Sequence, residues 1–135
     1  MQKIFFVVFV LSALALTACG GSGGRTNEVV SAGTMPAELV GQTNPLGADA
    51  ASAGAEVFKN NCAACHGEQG HGDGPAAASL VPPPKNLPEL AATAADDYLF
   101  WRVSTGKAGT SMIAWKGVLT DEQIWQVVAF IRTLK

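Results

Sequence analysis

The chain has 135 residues, 48% of them hydrophobic, with 9 basic and 11 acidic side chains and a formal charge of −2. That length leaves room for one domain, and the composition is that of a globular chain rather than a disordered one. The slight acidity lacks the basic footprint that nucleic-acid binding needs.

The chain opens Met1-Gln2-Lys3 and then runs apolar from Ile4 to Leu16, broken only by Ser12. A helix needs about 20 apolar residues to cross a bilayer, so this run is too short to span one. A basic start, a short apolar core and small residues at its end match a secretory signal over 1–18. Leu16-Thr17-Ala18-Cys19 resembles the lipobox of bacterial lipoproteins. The resemblance implies cleavage before Cys19, acylation of that residue, and a protein held by lipid on the periplasmic or extracytoplasmic side of a bacterial membrane. Several acyl chains would hold firmly, since each buried methylene contributes about 0.8 kcal/mol. The plainer alternative is an ordinary cleavable signal with Cys19 incidental. Loss of Lys3 with the signal leaves 8 basic against 11 acidic residues, a net charge of −3.

Residues 19–51 are rich in Gly, Ser, Ala and Asn, and they hold too few large apolar side chains to offset their ordering entropy. They are expected to form a flexible tether. The folded domain is expected over 52–135. A core of about 80 residues is marginal without a staple.

Helical patterns dominate that domain, and no strand-type alternation is visible. One helix is predicted from Ser52 to Asn61. A second is predicted from Asp96 to Ser104, with acidic residues at its start and Gly106 just beyond its end. The last is predicted from Asp121 to Leu134. There Thr120 and Gln123 form a capping-box pair, and Ile124, Val127, Val128, Ile131 and Leu134 share one face. Arg132 and Lys135 suit its C-terminal end.

Cys62-Ala63-Ala64-Cys65-His66 carries the chemistry. This spacing is that of covalent c-type haem attachment: two thiols add across the vinyl groups of one haem, and the adjacent histidine reaches the iron from the same side. With Cys19 as a lipid site, no thiol is left over. A thioredoxin-like thiol pair would want a strand leading into a βαβ unit, which is not visible. A zinc site would need further ligands that His71 alone does not supply.

On these residues the segment from Ala53 to Lys135 resembles a class I cytochrome c. Gly54, Phe58 and Cys62 stand at four-residue steps, as in that family's N-terminal helix, and Val127 and Phe130 sit where its C-terminal helix answers. Gly67 to Pro75 resembles the glycine-rich loop of short bacterial members, and the resemblance implies that the Pro75 carbonyl accepts a hydrogen bond from His66. Pro82-Pro83-Pro84 with Asn86-Leu87, and Asp97 to Trp101 followed by Gly106, are similar to later stretches of these proteins. The implied fold is all-α, with three to five helices around one covalent haem c and its iron. Met1 leaves with the signal and Met35 lies in the tether. Met112, in a Gly/Ser loop before the last helix, stands where the family places its thioether ligand, with Ile113 where proline often follows. His71 is too near His66 to reach the opposite haem face. Trp101, Trp115 and Trp125 read as packing around a flat cofactor.

The implied function is single-electron transfer by a haem with His66 and Met112 on its iron, not enzymatic catalysis. The expected partners are a protein donor and acceptor at the membrane, with the chain monomeric or a subunit of a redox complex. The competing readings are a gas sensor or small reductase with an open sixth position, and a thiol oxidoreductase using Cys62 and Cys65.

Overall fold

The computed structural model describes residues 33–47 and 49–135. The signal at 1–18 and Cys19 lie outside the described residues. Among the described residues five α-helices follow one another: α1 (Ala50–Asn61), α2 (Ala63–His66), α3 (Leu87–Ala91), α4 (Asp96–Thr105) and α5 (Asp121–Ile131), with a 3-10 turn at Ala77–Ser79 between α2 and α3. No strand occurs among the described residues, so the chain has the all-α architecture expected. None of the described helices is long and apolar enough to cross a membrane.

The first and last long helices cross at Gly54. A Cβ there would collide with the Gln126 carbonyl oxygen, so only glycine allows the backbones to meet. One turn later Phe58, 2% exposed, packs against Phe130 with ring centroids 5.1 Å apart. Ile124, Val127 and Val128 of α5 are fully buried against this contact. The capping box of α5 is present: Thr120 Oγ1 accepts from Gln123 N at 3.2 Å, and Gln123 Oε1 accepts from Thr120 N at 2.9 Å. The helix ends at Ile131, three residues short of the expected Leu134. Its chain tightens there, with Thr133 and Leu134 donating to the carbonyls of Phe130 and Ile131.

α4 lies against α5 through Phe100, which stacks on Trp125 at 4.2 Å. Trp101 and Trp125 are buried, but neither lines the cleft around Cys62 and Cys65; of the three tryptophans expected to pack around a flat cofactor, Trp115 does. α3 was not predicted. Its cap is nonetheless local: the Asn86 side chain accepts from Glu89 N at 3.2 Å, and Pro88 occupies the first turn.

The segment expected to be a tether as far as residue 51 lies, from Pro36 on, against the helices. Leu39 and Leu46 pack on the core. Gly41 N donates to Asp97 Oδ2 at 2.6 Å, Asn44 N donates to Asp96 Oδ2 at 3.0 Å, and Asn44 Nδ2 donates to the Trp125 carbonyl at 2.8 Å. α1 accordingly begins at Ala50, two residues earlier than expected. Asp97, one of the acidic residues at the start of α4, is only 7% exposed. Its carboxylate is the anchor of this strap.

Candidate haem site

Cys62 closes α1 and opens α2, so the motif sits on a helical corner. Four residues of α2 cannot satisfy their own carbonyls, and the following loop does it for them. Gly72 N donates to the His66 carbonyl at 2.8 Å, Gly74 N to that of Cys65 at 3.2 Å, and Ala76 N to that of Ala64 at 2.9 Å. The loop approaches so closely that a Cβ at Gly74 would stand 2.5 Å from the Ala63 and Ala64 carbonyl oxygens. The glycine-rich run is therefore the clamp that holds the motif in place.

Cys62, Cys65 and His66 line an apolar cleft together. Phe58, Leu99, Val103, Val127 and Ile131 line its interior, Pro82 to Pro84 flank it, and Met112 lies in its lining as well. The loop carrying Met112 is folded back on α4. Lys107 N donates to the Met112 carbonyl at 2.9 Å, and Trp115 N and Lys116 N donate to the carbonyls of Val103 and Ser104, each at 3.1 Å. Gly106, at φ 68°, caps α4 under this loop, where a Cβ would meet the Met112 carbonyl. Met112 itself is half-buried.

Two local shifts in proton affinity fit this site. Burial, reinforced by the neighbouring Cys65, pushes the Cys62 thiol up to about 12. Reactive redox thiols are shifted the opposite way, so Cys62 lacks the character of an attacking thiolate. Burial also pulls His66 below its ordinary value, with the Lys85 carbonyl working in the other direction. That carbonyl, 3.1 Å from Nδ1, can only accept, so Nδ1 carries the proton and Nε2 keeps the lone pair a metal needs.

Lys85 is the correction to the expected role of Pro75. Pro75 is exposed and absent from the cleft, and the carbonyl that orients the imidazole comes from the residue after Pro82-Pro83-Pro84. His71 lies outside the cleft, with Nε2 3.0 Å from the Lys135 carbonyl. Met35 is not in the lining either. Among the described residues no group of three His, Cys, Asp or Glu side chains is placed to hold a metal ion.

The donor set therefore suits a haem. Two thiols at attachment spacing and an imidazole share an apolar cleft with a thioether, and Arg102, whose Nε is buried with no partner among the described residues, lines the same cleft. Fold and site together define a class I c-type cytochrome, an electron carrier with one covalently bound haem c. Residues 49–131 match the family described as cytochrome c oxidase, cbb3-type, subunit III, and the chain belongs to that family. Cytochrome c6 of Thermosynechococcus vestitus is 38% identical over 86 residues, covering 64% of this chain and 70% of that one. Cytochrome c6 of Parathermosynechococcus lividus is 38% identical over 78 residues, covering 58% of this chain and 83% of its own. A solved chain of the reducing HAO-like protein complex of Kuenenia stuttgartiensis shares the fold, with a TM-score of 0.58 and 24% identity. That match covers 67% of this chain and 47% of the other.

Proposed function

We propose that the chain passes single electrons between membrane-associated redox proteins, with His66 and Met112 as the two axial ligands of its iron and a lipid on Cys19 as its anchor. The observation that carries this reading is the shared cleft: Met112 lines the same cavity as Cys62, Cys65 and His66. When bound, haem supplies a reversible one-electron couple. Cys62 and Cys65 would hold it through thioethers, and the Lys85 carbonyl keeps the His66 imidazole in one tautomer and one orientation. The apolar interior formed by Leu99, Val103, Val127 and Ile131 keeps water from the site. Such surroundings together with a soft thioether favour the reduced state. A filled sixth position leaves no place for a substrate, which suits a carrier rather than a sensor or reductase.

The kinship supports redox partners for this chain. The family is described as an oxidase subunit, and the solved neighbour belongs to a protein complex. The visible spectrum of the purified holoprotein tests the ligation. Low-spin iron with a weak long-wavelength sulfur-to-iron band in the ferric state is expected, and no carbon monoxide binding by the ferrous state at neutral pH. High-spin iron that binds carbon monoxide readily would favour the sensor or reductase reading. Membrane fractionation tests the anchor: Cys19→Ser should move the protein to the soluble fraction, and retention on membranes after a high-salt wash would refute lipid attachment there.

A further inference from the structure

Asp97 is buried at the start of α4, and each of its carboxylate oxygens accepts from a backbone amide. Oδ1 takes Tyr98 N at 2.6 Å, inside α4, while Oδ2 takes Gly41 N of the strap at 2.6 Å. Gly41 reaches it through a turn at φ 80°, a conformation that glycine adopts freely. Asn44 adds its bonds to Asp96 and to the Trp125 carbonyl, and Leu39 and Leu46 of the strap are half-buried against the core. A segment held by so few contacts opens at a free energy well below that of the whole domain. The strap also lies behind the cleft. None of its residues lines the cleft, whereas Asn44 and Leu46 border a shallow hollow with Ala129 of α5. At about 100° per residue, Ala129 points about 160° away from Val127 and Ile131, which face the cleft.

We propose that the strap is a latch on the membrane tether, and that its docking sets how far the domain travels from the lipid at Cys19. The inference rests on the reading of Cys19 as the lipidated residue. With the strap docked, the 16 residues 20–35 separate Cys19 from the domain. With it released, the 30 residues 20–49 do so, up to the start of α1. A Gly-rich chain spans about 22 Å r.m.s. at the first length and about 30 Å at the second. Release therefore lengthens the reach toward a redox partner. Because the latch sits behind the cleft, release leaves the haem surroundings as they were.

The experiment uses the haem-loaded, lipidated chain in vesicles that carry a headgroup-fluorescent lipid, where energy transfer from headgroup to haem reads their separation. Asp97→Asn combined with Asn44→Ala should free the strap: asparagine offers one oxygen to two amides, and alanine removes the bond to Trp125. A Glu-specific protease reads the release at Glu38, whose carbonyl accepts from Gln42 Nε2 in the docked turn. Glu28→Gln in every chain removes the competing cut in the tether. Cleavage after Glu38 should become about tenfold faster in the double variant, with an unchanged visible spectrum. The haem should move about 8 Å further from the headgroups, and a chain with about 14 Gly/Ser residues inserted between Gly33 and Thr34 should show the same shift with its strap docked. Unchanged cleavage would mean that these bonds do not hold the strap, and an unchanged distance in the double variant would mean that the strap only packs. Either result overturns the proposal, as does a shift in the double variant that the insertion fails to reproduce. A wild-type chain that washes off the vesicles would instead sink the reading of Cys19.

Discussion

At the scale of single residues the site divides into groups that sequence spacing exposes and groups that it hides. Cys62, Cys65, His66 and Met112 carry side-chain chemistry, and all four line one cleft. The partner of His66 is a backbone carbonyl, which any residue could supply, so no side-chain signature distinguishes Lys85 from Pro75. Arg102 carries no distinctive sequence signal for a related reason. An arginine in the last turn of a helix reads as a favourable charge on the helix dipole, and only the fold reveals that it faces the cleft. Met112 is the residue whose removal reports most directly on the sixth position. Met112→Ala should abolish the sulfur-to-iron band, lower the potential and open the iron to carbon monoxide. The domain should remain folded, since truncating a half-buried methionine costs less than the roughly 2–5 kcal/mol of a fully buried one. Visible spectroscopy with and without carbon monoxide checks the first outcome, and denaturant titration checks the second. An unchanged spectrum would remove Met112 from the iron.

At the scale of elements, the helices with strong local signals were legible and the short ones were not. α5 shows its capping box and apolar face in sequence, and both are present in the fold. α3 has only five residues, too few for periodicity to register, although Asn86, Pro88 and Glu89 supply its start. The strap from Pro36 to Leu46 was misread because its attachment runs largely through backbone amides of Gly41 and Asn44, which composition cannot reveal. The crossing of α1 and α5 was legible from Gly54 and Phe58 together. It yields a sharp expectation: Gly54→Ala should destabilise the domain by at least about 1–3 kcal/mol, because the added methyl meets backbone rather than a movable side chain. Gly47→Ala, where a Cβ meets nothing within 4 Å, serves as the control. Equal stabilities of the two variants in denaturant titration would mean that the helices do not cross this closely.

For the molecule as a whole, one ion pair joins several parts. Arg132 at the end of α5 reaches Asp96 at 2.7 Å, and it also donates to the carbonyls of Ala91 and Ala94. Burial alone would raise the Asp96 carboxyl, but the amide of Asn44 and the Arg132 guanidinium outweigh it and hold the group below the usual carboxylate range. The sign of the pH effect follows. The folded state binds the Asp96 proton less tightly than the unfolded chain does, so the stabilisation is complete above the ordinary carboxylate value. It is lost as pH falls from that value through the lower folded one. Unfolding midpoints measured between neutral and strongly acidic pH should therefore drop, and Asp96→Asn should flatten that drop. The side chain is 23% exposed, so the effect should amount to about 1 kcal/mol. An identical acid limb in both proteins would show that the strap and α5 are held by something else.

The meeting of α1 with α5 also bears on how the chain reaches this fold. Phe58 and Phe130 touch across almost the full length of the domain. Bringing them together closes a loop of roughly 70 residues, which costs about 4 kcal/mol of chain entropy before any burial offsets it. Most helical domains fold through local contacts and fold fast. Here the decisive contact is a distant one, and the haem-attachment corner at Cys62 lies beside it, at the end of α1. A macrocycle tied at that corner would meet Val127 and Ile131 in the same cleft, so its apolar surface would offset part of that closure cost. In kinetic terms, the group that carries the electron would also shorten the search for the fold.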